Sequence, residues 1–161
     1  MTIDPLVLQS ADLLRQKHWM LATAESCTGG MIAAACTDLA GSSVWFERGF
    51  VTYSNKAKTD MLGVDAALIA TQGAVSQAVA EAMATGAVAR SKAQVSVAVT
   101  GVAGPGGGSP DKPVGTVWFG WSVGGQIRSE RRQFDGDRAE VRAATVQHAL
   151  QTLVLLLQSA S

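Results

Sequence analysis

Ser26 sits in Thr23-Ala24-Glu25-Ser26-Cys27-Thr28-Gly29-Gly30, where a short apolar segment runs directly into a helical pattern. A hydroxyl at such a junction can attack an acyl carbon or hydrogen-bond an anion. The free N–H groups of a helix start favour negative charge in either case. Gly29 and Gly30 let a ligand approach the main chain closely. Serine is a poor nucleophile unless a neighbouring base takes its proton. His18 closes the first helical pattern and His148 lies within the last, beside its apolar stripe, so neither is well placed as that base. No G-x-S-x-G elbow is present, since Glu25 and Thr28 flank Ser26-Cys27.

Tyr53-Ser54-Asn55-Lys56-Ala57-Lys58 lies where a second strand gives way to a helix. A lysine sheltered from water there has a lowered pKa and can accept a proton. Lys56 and Lys58 are both candidates on spacing, with Tyr53 as a proton relay or a support for the lysine. Cys27 is a rival nucleophile, although no histidine stands ready to ionise it.

A third candidate is the loop from Thr100 to Pro110, seven of whose eleven residues are glycine or proline. Thr100, Gly101, Gly104 and Gly106 lie on a segment suited either to close backbone approach by a ligand or to mere connection. No Gly-Lys-Ser/Thr follows, so it is not a Walker loop. Finally, Arg138 and Arg142 share a face at the start of the last helix. They read as a clamp for phosphate or as two exposed arginines behind an Asp137 cap.

The elements that must position these groups follow from hydrophobic periodicity. Helices are predicted over 4–17, from Thr28 to Gly41, from an Asn55 cap to Leu62, over 65–71, after a Ser76 cap, and from Asp137 onward. The Ser76 helix is expected to turn Ala78, Val79, Ala82, Met83 and Gly86 inward. Strands are predicted over 20–24, 44–53, 94–100, 115–123 and 127–133, with the last two joined by a hairpin at Gly124-Gly125. Alternating helices and strands imply a three-layer α/β/α sandwich around a mixed β-sheet, with residues 1–161 as one domain.

Composition narrows the partners. The chain has 161 residues, 47% of them apolar and 16% charged, which excludes a disordered polymer. Thirteen basic residues balance thirteen acidic ones, so no net field draws in nucleic acid or an anionic membrane. The apolar run Leu153 to Leu157 is too short to span a bilayer, and no signal peptide is evident. Two cysteines make no metal or disulfide framework, so a cytoplasmic setting is the expectation. Oligomeric state is open, with Trp45 and Phe46 as candidates for a contact between copies in a homo-oligomer.

Taken together, five ordered motifs resemble the CinA C-terminal domain family. They are Ala24 to Gly30, Gly41-Ser42-Ser43 with Phe46 and Arg48 to Lys58, Gly73 to Ser76, Val99 to Gly108, and Lys112 to Val117. The resemblance covers residues 5–157. Stand-alone members of that family are nicotinamide-nucleotide amidohydrolases. The resemblance therefore implies conversion of nicotinamide mononucleotide and water to nicotinic acid mononucleotide and ammonia, in bacterial pyridine-nucleotide recycling, with no metal or organic cofactor. It implies Ser26 as nucleophile, Tyr53 as its tyrosine, and Lys58, rather than the variable position Lys56, as base. Thr28, Gly29 and Gly30, the Thr100 loop, and Arg138 or Arg142 are implied as substrate-binding. The alternatives are a non-catalytic nucleotide-binding module or a competence-associated interaction domain.

Overall fold

The computed structural model describes residues 4–160. Its elements in order are α1 (Pro5–Lys17), β1 (Leu21–Glu25), α2 (Met31–Thr37), a 3-10 turn (Ser42–Val44), β2 (Phe46–Val51), α3 (Asn55–Leu62), α4 (Ala66–Gln72), α5 (Gln77–Ala89), β3 (Val95–Gly101), β4 (Thr116–Val123), β5 (Gln126–Gln133) and α6 (Arg138–Ser159). The five strands form one sheet in the order β2-β1-β3-β4-β5. β2, β1 and β3 are parallel, and β4 and β5 continue antiparallel through the Gly124-Gly125 turn.

Strand alternation divides the interior into two layers. Leu21, Val95, Val97, Val99, Val117, Phe119 and Trp121 face α1, α2 and α6, where they meet Val7, Leu14, Ile32, Leu150 and Leu153. Ala22, Ala24 and Ala98 face the other way, towards Leu62, Ile69, Val79 and Met83 of α3, α4 and α5. The small side chains on that face let the helices come close. A Cβ on Gly120 would lie 2.5 Å from the Ala80 carbonyl oxygen, and one on Gly86 would lie 2.1 Å from that of Leu62.

The chain leaves β1 through α2 to reach β2 on one side, then crosses through α3–α5 to β3 on the other side. Two crossovers in opposite directions share one hand only if their helices lie on opposite faces, as these do. The result is the three-layer mixed-sheet sandwich read from the sequence. The direction reverses between β1 and β3, which opens a crevice at the carboxyl ends of those strands, where open α/β sheets place their ligands.

Several local expectations are corrected. The α3 N-cap is Ser54, whose hydroxyl accepts from Ala57 N; Asn55 is the first helical residue. Helix α2 begins at Met31, because Ser26–Gly30 form turns instead. A 3-10 turn replaces the start of the 44–53 strand, and Trp45 is fully buried, which removes it from any surface contact. On α5, Ala80, Ala84 and Ala87 join Val79, Met83 and Gly86 in the interior, whereas Ala78 and Ala82 are half-buried. No helix among the described residues is long and apolar enough to cross a membrane.

Candidate functional site

Two hydrogen bonds carry the parallel ladder past the ends of β1 and β2. Ser26 N donates to the Val99 carbonyl at 3.1 Å, and Thr52 N donates to that of Glu25 at 2.8 Å. Thr52, Ser26 and Thr100 therefore stand side by side where the strands finish. Alternation sends the Glu25 side chain towards α2 and that of Ser26 to the opposite face, towards α3.

Lys58 meets Ser26 there. Ser54 starts α3 at the end of β2, so Lys58, one turn further on, points back at the strand ends. Its Nζ donates to Ser26 Oγ at 3.0 Å and to the Thr52 carbonyl at 3.2 Å. Lys58 is 2% exposed and Ser26 is 8% exposed. Among the described residues Lys58 makes no ion pair. Loss of water with no counter-charge pulls its ammonium below the ordinary lysine pKa. Lys56 is on the solvent side of the same helix, paired with Asp60 at 2.7 Å. Of the two lysines, only Lys58 reaches Ser26.

Cys27 lies beside Ser26 in the wall of the cleft, yet burial pushes its thiol up to about 11, so it is protonated at neutral pH. The two histidines serve elsewhere. His18 caps α1 in the left-handed region, and His148 bonds Glu130 at 2.6 Å within an aromatic group that includes Phe119.

The cleft above Ser26 has a volume of about 300 Å3. Ser26, Cys27, Tyr53, Asn55, Lys58, Ala74, Val75, Thr100, the 101–107 loop and Arg138 wall it. Thr100 is held by a hydrogen bond from its hydroxyl to the Ala74 carbonyl, which ties the β3 end to the segment before α5. The loop is pinned at its base, where Val102 N donates to Thr116 O and Gly115 N to Val102 O. Gly104 and Gly107 adopt positive φ values of 84° and 93°, a backbone that a side chain would strain. Lys112 Nζ anchors the far side of the loop on the Gln72 carbonyl at the end of α4.

Arg138 closes the rim. Its guanidinium donates to the Gly104 carbonyl at 2.9 Å and to Tyr53 Oη at 3.0 Å. Tyr53 is 61% exposed. Its hydroxyl is engaged by Arg138 at the mouth, while Lys58 bonds Ser26 directly.

The expected helix-start anion site is filled from within. The fully buried Glu25 carboxylate accepts from Thr28 Oγ1 and from the amides of Ile32 and Ala33 at the start of α2. Thr28, Gly29 and Gly30 lie behind Ser26, outside the residues that wall the cleft. Arg142 is there too, donating to the carbonyls of Cys27 and Thr28. Glu25 was missed as a site-forming residue. Its signal was a carboxylate within an apolar strand, seven residues before an amide it caps.

A doubly wound mixed sheet with a hydroxyl, an amine without a counter-charge and a glycine-rich wall at its switch point defines an enzyme-like class of site. This chain belongs to the CinA C-terminal domain family, whose model matches residues 3–157. It is 56% identical over 154 residues, 96% of each chain, to the nicotinamide-nucleotide amidohydrolase PncC of Pseudomonas putida. It is 50% identical to the protein of the same name from Escherichia coli K12, over 90% of this chain and 88% of that one. Among solved structures, the competence damage-inducible protein A of Klebsiella pneumoniae superposes with a TM-score of 0.93 at 40% identity, covering 97% of both chains.

Proposed function

We propose that this protein hydrolyses the carboxamide of nicotinamide mononucleotide, giving nicotinic acid mononucleotide and ammonia, with Ser26 as nucleophile and Lys58 as its base. The observation that carries this reading is the 3.0 Å contact between Ser26 Oγ and a buried Lys58 Nζ that lacks a counter-ion. The names borne by relatives at 50–56% identity supply the substrate.

When Lys58 is neutral, the Ser26 hydroxyl donates to Nζ. Attack on the carboxamide carbon then moves the serine proton to the amine as the C–O bond forms. Main-chain N–H groups beside Ser26 or in the 101–107 loop receive the oxyanion. Collapse of the tetrahedral intermediate breaks the C–N bond, Lys58 returns its proton to the leaving nitrogen, and ammonia departs. Water then attacks the Ser26 ester, gives a proton to Lys58, and frees the carboxylate with Ser26 restored. The direct contact makes a Tyr53 relay unnecessary. Tyr53 and Arg138 hold the rim instead.

Arg138 has donors left beyond those given to Gly104 and Tyr53, and these meet the 5′-phosphate. Thr100 and the backbone of Gly101, Gly104 and Gly106 line the path between phosphate and carboxamide. Binding of the remote phosphate orients the amide against Ser26 and selects nucleotide over free nicotinamide. The reaction recycles pyridine nucleotide in the bacterial cytoplasm.

The test is ammonia release from nicotinamide mononucleotide by purified protein, with Ser26→Ala as control. Wild-type turnover with loss of at least about 10³-fold in Ser26→Ala is expected. A Ser26→Ala protein that keeps full turnover removes the nucleophile assignment.

A further inference from the structure

Arg138 and Arg142 are one turn apart on α6, and the structure gives their guanidiniums different work. Arg138 faces the cleft. Arg142 faces the turn that follows the nucleophile, with Nε donating to the Cys27 carbonyl at 3.1 Å and a terminal nitrogen to the Thr28 carbonyl at 3.2 Å. Two donors of one planar fork thus hold two successive carbonyls, a geometry that an ammonium cannot copy. The same turn is held from its other side by Glu25, which takes the Thr28 hydroxyl. A cation grips its acceptors while a carboxylate grips its donors.

Peptide planarity gives that grip a consequence. In a trans peptide the carbonyl and the next N–H point in opposite directions. Holding the Cys27 carbonyl towards α6 therefore fixes the Thr28 N–H away from α6. It also anchors the peptide that follows Cys27, the residue next to Ser26. The turn, built on Gly29 and Gly30 with φ of 59° and 110°, has two hydrogen bonds of its own, Gly29 N to the Ser26 carbonyl and Met31 N to that of Thr28, and neither holds the Cys27 carbonyl.

We infer that Arg142 is a positioning residue for the Ser26 turn, and that Arg138 is the arginine of this pair that meets the nucleotide phosphate. The inference rests on the serine–lysine reading above. It assigns the two arginines to different kinetic parameters: Arg142 to the rate of the chemical step on any substrate, Arg138 to affinity for phosphorylated ones.

Arg142→Lys, Arg142→Ala and Arg138→Ala are assayed on nicotinamide mononucleotide and on nicotinamide riboside, which has the same amide without the phosphate. Arg142→Lys should lower kcat about tenfold or more on both substrates, with KM within about twofold. Millimolar guanidinium chloride should partly rescue Arg142→Ala. Arg138→Ala should raise KM for the nucleotide at least about tenfold, and its loss in kcat/KM should be several-fold larger on the nucleotide than on the riboside. Amide exchange of the folded Arg142→Lys protein should quicken across residues 26–30 alone.

A loss in Arg142→Lys confined to the nucleotide, or seen only in KM, makes Arg142 a phosphate ligand and overturns the assignment. Full activity with unchanged exchange overturns it equally. A wild-type protein that never releases ammonia ends the reading of function separately. The exchange measurement then decides the clamp by itself, since unaltered exchange in the turn rules it out.

Discussion

The proposed proton transfer from Ser26 needs an uncharged Lys58 amine, and burial without a carboxylate partner shifts Lys58 towards that form. Its pKa lies below the ordinary 10.5, with desolvation as the cause. kcat/KM should therefore rise with pH through that lowered value and then level off, the opposite sign from an enzyme that needs the ammonium. The same burial costs stability. Between the folded-state pKa and 10.5 the unfolded chain binds the proton and the folded chain does not, so stability rises with pH across that window. Lys58→Met fills the same space without a charge. It should cut turnover about 10³-fold or more and raise Tm by roughly 3–6 °C at neutral pH, read by ammonia release and thermal melting. A Tm that falls would mean that the amine contributes net stability where it sits. The neighbouring thiol gives a contrast, since Cys27 is held protonated with its pKa up at about 11. Cys27→Ala should keep kcat within about threefold. A loss comparable to that of Ser26→Ala would move the nucleophile to sulfur.

Among the elements, α2 and α5 brace the segments on which Ser26 and Lys58 meet. Glu25 accepts two amides of α2 and the Thr28 hydroxyl, so one side chain of β1 both starts a helix and braces the turn beyond Ser26. Glu25→Gln keeps the shape but replaces one acceptor oxygen with a donor facing N–H groups. Destabilisation of about 2–3 kcal/mol, measured by urea unfolding, is expected. On the other face, α5 approaches the end of α3 so closely that a Cβ at position 86 would strike the Leu62 carbonyl. Gly86→Ala must push α3 outward, and Lys58 travels with it. Activity should fall together with stability, and an alanine variant with native Tm and native turnover would show that α3 is not held from this side. Much of this framework was legible in the sequence, because Ser26 and Lys58 each follow a strand whose periodicity is plain and Thr100 lies at the end of another. The Ser54 cap was misread by one residue, since serine and asparagine adjoin and both are good caps. The Glu25 plug was not legible, because it depends on which face of β1 meets α2. Nor could spacing separate Arg138 from Arg142. Residues four apart share a helix face, and only the packing of α6 sends Arg138 to the rim and Arg142 behind Ser26.

In the whole molecule, the cleft is assembled from five separated stretches: residues 26–27, 53–58, 74–75, 100–107 and 138. They arrive from both helical layers and from the sheet between them, and they meet because the strand order reverses between β1 and β3. A ligand spanning the cleft must therefore couple segments that are distant along the chain. That coupling is testable with Ser26→Ala, which should bind nicotinamide mononucleotide without consuming it. At about 100 times its dissociation constant, the nucleotide should add about 2.7 kcal/mol to the unfolding free energy, or roughly 5–11 °C in Tm. Hydrogen exchange should slow in all five stretches at once, with 101–107 changing most, because its glycine-rich backbone has few bonds of its own above Val102. Nicotinic acid mononucleotide, which keeps the phosphate and ribose, should protect the 101–107 and 138 segments similarly. Free nicotinamide should leave them untouched at the same concentration. Protection confined to a single stretch, or centred on the opposite end of the sheet around Trp19 and Arg128, would place the nucleotide outside the switch-point crevice. The Ser26–Lys58 contact would then lose its substrate.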